Sequence, residues 1–159
     1  MMPNGSMMGQ NIDQHFIIQM IPHHEGAIEM AKVALERSKH PEMLSLAKGI
    51  IEAQEKEISD MRGWYQSWYG STPTAGGMDI RMGGMMGDLD TLKEVSDAEF
   101  DREFIKEMIP HHEMAVVMGQ MLQSSTERDE MKQLADNIIT SQSREIEIMR
   151  GWLKLWYGQ

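Results

Sequence analysis

Cysteine is absent from the 159 residues of the chain. Disulfides, zinc sites built on thiolates and thiol nucleophiles are therefore all excluded. A chain of this length buries enough surface to form its own core without covalent cross-links. The lack of free thiols is also compatible with an oxidising compartment.

Positive charge and long apolar runs are scarce as well. Fifteen Lys and Arg against twenty-five Asp and Glu give a net charge of −10, which repels phosphate backbones and anionic membrane surfaces and attracts cations. No apolar run is long enough to cross a bilayer, and the first ten residues lack the basic stretch and apolar core of a signal peptide. We therefore expect a soluble chain, either intracellular or already trimmed of its signal peptide, that binds no nucleic acid and does not insert into membranes.

Methionine, in contrast, is abundant, with 18 of the 159 positions. The commonest residues of ordinary globular domains are Leu, Ala and Gly, and methionine is normally a minor component. This excess requires an explanation beyond ordinary core packing.

The chain is a tandem duplication. When residues 13–70 are aligned with residues 101–158 without a gap, 27 of 58 positions are identical, including the segment MIPHHE that begins at Met20 and again at Met108. Such a repeat corresponds to one supersecondary unit that occurs twice.

Each repeat is predicted to form two helices. Apolar residues recur at helical spacing on either side of a break, which falls at Pro41 in the first repeat and at the segment SSTERDE in the second. Gly70 and Gly158 are typical helix-ending residues. Ser96 and Glu99 have the spacing of a capping box at the start of the third helix.

Two amphipathic hairpins predict an all-α, four-helix bundle, because each hairpin leaves an apolar stripe that the other can cover. We expect a methionine-rich tail over residues 1–12, hairpin repeats over 13–70 and 96–159, and a glycine- and methionine-rich linker over 71–95. The two repeats are expected to pack as one domain.

The histidines of MIPHHE are predicted to face the interior of this bundle. At 100° per residue, His23 lies in the middle of the apolar stripe of its helix and His24 on the flank, while Glu57 lies at the centre of the apolar face of the partner helix. Antiparallel pairing places His23 level with Glu57, and Met20 level with Met61.

The second repeat has the same geometry at Met108, His111, Glu145 and Met149. Each hairpin should therefore bring two thioethers, an imidazole and a carboxylate to one depth. A linker of this length can turn back at one end or cross the whole bundle. In the first topology both sites are expected to lie at one level, where they could merge.

Thioether and imidazole without thiolate favour Cu(I), or Ag(I) as its mimic, because these are soft ions. Zinc prefers Cys, His and carboxylate ligands. Carboxylate is too hard for Cu(I), so we expect Glu57 and Glu145 to accept the ring N–H of the first histidine of each pair. His24 and His112 can ligate at a site nearer the surface or pair with a carboxylate, and the sequence leaves both open.

Other methionines lie in segments too rich in glycine to form core helices. Exposed methionine is readily oxidised, so we interpret them as a ligand set for the same soft ions, the alternative being a spacer or a loop docked on the bundle. These methionines are Met7, Met8, Met78, Met82, Met85 and Met86.

Met114 and Met121 extend the methionine stripe of the second repeat, and we expect Met121 to pack in the core. His15 and His40 occur in one repeat only and are expected at the surface.

Two alternative functions remain. A helical interaction module without metal would use methionine as an adaptable apolar surface. A ferritin-like metal oxidase would need Glu-x-x-His on two helices, and this spacing does not occur in the sequence. No catalytic triad, phosphate loop or activated nucleophile stands out, so we do not expect an enzyme.

These motifs resemble the ferritin-like helical proteins grouped as domain of unknown function 305, which carry MIPHH followed by Ala and Met, and a later Met-Arg-x-Trp segment. The resemblance covers both repeats. It implies a periplasmic or secreted copper chaperone or sequestration protein for copper resistance, with a copper sensor or exporter as its protein partner. The ligands it implies are Met20, His23, His24, Met30, Met108, His111, His112 and Met118.

Overall fold

The computed structural model describes residues 4–73 and 89–159, and side chains from residue 12 onward. Within these ranges the chain is helical: α1 (Asn4–Arg37), α2 (Pro41–Tyr69), α3 (Leu89–Glu94), α4 (Asp97–Ser125) and α5 (Asp129–Tyr157). The side chains of Met7 and Met8, and all of Met78, Met82, Met85 and Met86, lie outside what is described.

The helices begin and end close to the predicted positions. Pro41 is the first residue of α2, where its missing N–H costs no hydrogen bond. Gly70 and Gly158 follow α2 and α5 with φ of 73° and 68°, a conformation that side chains disfavour. Ser96 is the N-cap of α4, but its side chain forms no capping hydrogen bond. The predicted capping box is therefore absent, because Glu99 pairs with an arginine of its own helix instead.

Two helical segments differ from the prediction. α1 begins at Asn4, inside the segment 1–12 that the sequence predicts as a tail, because glycine costs a helix only about 1 kcal/mol and no proline occurs between positions 4 and 21. α3 forms inside the expected linker. Its Leu92 is fully buried in a core cluster that also contains Ala34 and Phe100, which explains why this turn of helix is stable.

α1 and α2 form one hairpin, α4 and α5 form the other, and α1 packs against α4. The start of α1 and the end of α4 share a core cluster that contains Phe16 and Leu122. The end of α1 and the start of α4 share a second cluster with Ala34 and Phe100. α1 and α4 are therefore antiparallel, and an approximate two-fold axis through the middle of the bundle relates the two repeats.

The connection from α2 to α4 joins opposite ends of the bundle. α2 ends beside the start of α1, since Trp68 lies near Arg128, which is hydrogen-bonded to Asp13 at 3.0 Å. α4 starts beside the end of α1, where Arg37 donates to Asp97 at 2.9 Å. A four-helix bundle with one long crossover is the ferritin-like arrangement, and the predicted fold class is confirmed.

This crossing topology nevertheless places both repeats' histidines at one level, because they lie near the middle of α1 and α4. In the described part of the chain, no helix is both long and apolar enough to cross a membrane.

Candidate metal centre

Four histidines meet at the middle of the bundle. α1 contributes His23 and His24, α4 contributes His111 and His112, and none is more than 3% exposed. The rings of His23 and His111 stack across the two-fold axis with centroids 3.7 Å apart and planes inclined by 19°. The first histidine of each pair therefore meets its counterpart from the other repeat.

The second histidine of each pair is held by a glutamate of its own hairpin. Nε2 of His24 lies 2.7 Å from Oε1 of Glu57, and Nε2 of His112 lies 2.7 Å from Oε1 of Glu145. Because a carboxylate accepts, Nε2 is the nitrogen that donates, and Nδ1 is the nitrogen that the neutral ring can offer to an ion. The expectation that Glu57 would pair with His23 was wrong, since α2 faces the flank of α1 rather than the axis of the bundle.

The remaining ring nitrogens have no hydrogen-bond partner among the described residues. Leaving one buried polar atom unpaired costs about 1–3 kcal/mol, and a bound ion is one physical reason for such a cluster. Gln54 and Gln142, equivalent in the two repeats, also have a buried side-chain oxygen without a partner. The nitrogens concerned are Nδ1 and Nε2 of His23 and His111, and Nδ1 of His24 and His112.

Burial keeps the central imidazoles unprotonated. Loss of solvation, together with the nearby His24 and His112, lowers the pKa of His23 from 6.5 to about 3. The pKa of His111 is also well below 6.5, mainly through burial and then through His23. A metal ion binds only the neutral ring, so at neutral pH no proton has to leave these two side chains before an ion binds.

Thioethers lie one helical turn from the histidines. Met20 precedes His23 by three residues on α1, Met108 occupies the equivalent place on α4, and both are fully buried. Met61 is fully buried in the same core cluster as Met20, and Met149 in the same cluster as Met108. Within residues 12–73 and 89–159, no group of three His, Asp and Glu side chains is arranged to hold a metal ion without thioethers.

The other predicted methionines are distributed more widely. Met30 is fully buried, in a different core cluster from Met20. Met118 is half-buried at the edge of the core. Met121 is 59% exposed and Met114 37% exposed. The prediction that Met121 packs in the core was wrong, because it lies on the outer face of α4.

A polar contact that the sequence did not predict closes one end of the bundle. Nη1 of Arg128, in the loop before α5, lies 3.0 Å from Oδ2 of the buried Asp13. The same guanidinium lies 3.9 Å from the centroid of the Trp68 ring. We call this arrangement of a buried aspartate, a cationic or imidazole group and a tryptophan an end clamp.

The second end clamp occupies the equivalent positions at the other end. Nδ1 of His40, in the loop before α2, lies 2.6 Å from Oδ2 of Asp101, and its ring stacks on Trp156 at 3.6 Å. His40 is therefore half-buried and bonded, and the prediction that it lies free at the surface was wrong. The available signal was the repeat alignment, which pairs His40 with Arg128.

Comparison with known proteins identifies the family of this chain. A family model described as a domain of unknown function (DUF305) matches residues 13–158. The chain therefore belongs to the DUF305 family, as its motifs predicted. A segment of 53 residues is 42% identical to an uncharacterized protein of Acanthamoeba polyphaga mimivirus. That match covers 33% of this chain and 35% of the viral protein, so the matched segment spans about a third of that relative.

Solved structures of CopM are similar over nearly their whole length. The Cu(II)-bound form is 50% identical, covers 91% of this chain and 97% of CopM, and superposes with a TM-score of 0.85. The Cu(I)-bound form is 48% identical with the same coverage and a TM-score of 0.82. A DUF305 fragment from Deinococcus radiodurans is 30% identical over 89% of this chain and 95% of the fragment, with a TM-score of 0.78.

Proposed function

We propose that this protein binds Cu(I), and Ag(I) in its place, at the central histidines between the two hairpins. The observation that carries the proposal is the set of six buried, unpartnered imidazole nitrogens, one helical turn from the fully buried Met20 and Met108. Imidazole and thioether together favour soft monovalent ions. The similarity to CopM, which was solved with Cu(I), Cu(II) and Ag bound, supports the same conclusion.

Each group at the centre has a separate role in this proposal. His24 and His112 present Nδ1 to the ion, with the ring orientation fixed by Glu57 and Glu145 on the opposite side. The stacked first histidines supply neutral nitrogens from both repeats. Thioether ligands come from α1 and α4, with further sulfur available within the hairpins. The candidate sulfur ligands of the described residues are Met20, Met30, Met61, Met108, Met118 and Met149.

We further propose that the protein is a copper chaperone or sequestration protein of copper resistance and acts in the periplasm or outside the cell. A buried site of soft ligands shields a bound ion from solvent, and the net charge of −10 attracts cations to the surface. Capture by the methionines of the tail and linker and release to a copper sensor or exporter complete the role. The capturing residues are Met7, Met8, Met78, Met82, Met85 and Met86.

An anaerobic Cu(I) titration against a chromophoric competitor tests the proposal. The intact chain should compete for Cu(I) and not for Zn(II), and the double variant His23→Leu, His111→Leu should bind at least tenfold more weakly. His15→Leu is the matched control, because His15 is exposed and its contact is with Gln19 on its own helix, away from the centre. Lack of Cu(I) binding by the intact chain would refute copper binding, and equal binding by the double variant would move the site away from the centre.

The cellular role is tested in a copper-sensitive bacterial host. Export of this chain to the periplasm should raise the copper concentration at which growth stops, and the double histidine variant should protect less. Equal growth of the variant and the intact chain, at equal protein levels, would contradict a role of the central site in resistance.

A further inference from the structure

The outer face of α4 carries an unusual set of exposed apolar side chains. Five large apolar side chains are exposed among the described residues, and three of them, Met114, Val117 and Met121, lie within two turns of this helix. Met118 lies between them and is half-buried. Exposed methionine is prone to oxidation and gains little from hydration, so the exposed Met114 and Met121 beside the half-buried Met118 need an explanation.

The spacing brings three thioethers to one face. Met114 and Met118 are four residues apart, and Met118 and Met121 are three apart, so consecutive Cβ atoms lie about 5–6 Å from each other. At 100° per residue, all three positions fall within about 60° of the helix circumference. Methionine has three rotatable side-chain bonds, which lets three sulfur atoms on such a face converge on one ion.

This face continues into the central site. His111 lies one turn before Met114 on the same helix and about 60° around it, and it is buried at the two-fold axis. Exposure therefore decreases around α4 from Met121 at 59% and Met114 at 37% to the half-buried Met118 and then to His111 at 3%. The three sulfur atoms form a sequence of soft donors from solvent to the buried imidazoles.

The arrangement occurs in the second repeat only. The equivalent positions of the first repeat are Gly26, Met30 and Val33, and the single methionine among them is fully buried. The shared hairpin packing therefore does not require thioethers at positions 114 and 121.

We propose that Met114, Met118 and Met121 form a surface site of three thioethers that binds one Cu(I) or Ag(I) ion and passes it to His111. The inference rests on the proposed function for the identity of the ion and for its destination. Transfer is an exchange of ligands, in which thioether bonds to the ion are replaced by imidazole bonds. The ion keeps its charge, and no electron or proton donor is needed.

Methyl NMR of the full chain labelled at methionine Cε tests the site directly. Titration with Ag(I) should shift the resonances of Met114, Met118 and Met121. Met131 is the internal control, because it is fully buried in the core near the start of α5. The double variant His23→Leu, His111→Leu should keep the shifts of Met114, Met118 and Met121, since the surface site does not need the centre in order to bind Ag(I).

The double variant Met114→Leu, Met121→Leu, which keeps Met118, tests the transfer step by stopped-flow loading with Ag(I). Leucine has a similar apolar volume, so the variant should keep its fold. Met131→Leu is the control for the replacement of a methionine outside the site. Loading of the centre should be at least threefold slower, with unchanged final affinity. Unshifted methyls of Met114, Met118 and Met121, while those of Met20 and Met108 move, would overturn the surface site and leave the proposed function standing. Loading at the intact rate would overturn the transfer, and no shift at any methionine would refute both proposals.

Discussion

Two adjacent residues of the segment MIPHHE have different environments. His23 stacks on His111 across the two-fold axis, whereas His24 bonds Glu57 inside its own hairpin. The 100° between successive helical positions produces this division. One position of each pair therefore joins the repeats, and the other fixes the orientation of a ring within its repeat.

Glu57→Ala tests the role of the carboxylate. The variant should weaken Cu(I) affinity by about 10- to 100-fold, because loss of a group that orients a metal-binding histidine typically has this effect. The Cu(I) affinity of Glu57→Gln should lie between those of the intact chain and of Glu57→Ala, since an amide oxygen still accepts a hydrogen bond from Nε2–H. Glu55→Ala, on the exposed face of the same helix, is the control for a change in net charge. An unchanged affinity in Glu57→Ala would show that His24 does not ligate.

The depressed pKa of His23 predicts acid sensitivity of the metal-free protein. The pKa of His23 in the folded chain, about 3, lies below the ordinary value of 6.5. Between these two pH values His23 is therefore protonated in the unfolded chain but not in the folded chain. Stability should therefore fall as pH decreases from about 6.5 towards 3, by about 1.4 kcal/mol per pH unit for this group. Urea unfolding at a series of pH values should show a shallower decrease in His23→Leu, and equal slopes would contradict the prediction.

At the level of helices and loops, the two end clamps show how the duplicated hairpins close. In each clamp, the residue just before the second helix of one hairpin is hydrogen-bonded to a buried aspartate on the first helix of the other hairpin. The same residue packs on the ring of a tryptophan. One clamp uses the permanent charge of Arg128, the other the imidazole of His40. The clamps therefore tie the hairpins to each other at both ends of the core.

Arg128→Ala is expected to lower the free energy of unfolding by about 1–3 kcal/mol, because it leaves the buried Asp13 without its charged donor. His40→Arg should stay within about 1 kcal/mol of the intact chain, because it copies the first clamp. Arg62→Ala is the matched control, since its ion pair with Glu25 is exposed on both sides and such pairs contribute little. Thermal or urea unfolding measures all three, and equal stability of Arg128→Ala and Arg62→Ala would contradict the clamp.

At the scale of the whole molecule, the crossover sets the length of the linker. α2 has 29 residues and is about 43 Å long, and the chain has to return over this distance before α4 begins. Extended chain covers at most about 3.6 Å per residue. The connection between α2 and α4 therefore needs a minimum number of residues to cross the bundle, and this requirement does not depend on their side chains.

Deletion of residues 71–90 leaves too little chain to cross the bundle, because seven residues would remain between α2 and α4. We expect two such chains to exchange hairpins and form a dimer, detectable by light scattering, with helical content by circular dichroism retained. Replacing Met78, Met82, Met85 and Met86 by Gln at constant length should leave a monomer. A compact monomer after the deletion would show that the hairpins can pair in the other topology.

Much of this structure is predictable because helix signals are local. Pro41, Gly70 and Gly158 mark helix boundaries, and periodicity identifies the buried faces. The pairing of Glu57 with His24 was not predictable, because it depends on the position of α2 around α1, and this position is set by the packing of α4 against α1 as well. The stack of His23 on His111 likewise depends on packing between repeats, for which the sequence offers no register. Met121 was misassigned because its position on the stripe does not show where that stripe leaves the core.

The stack of His23 on His111 has a further consequence. Half of the centre belongs to each repeat, so a single hairpin would have to meet a second copy before its ring nitrogens could share an ion. Covalent linkage makes that meeting intramolecular and gives the second half a high effective concentration. Affinity for the ion should then be independent of protein dilution, as the proposed sequestration role requires.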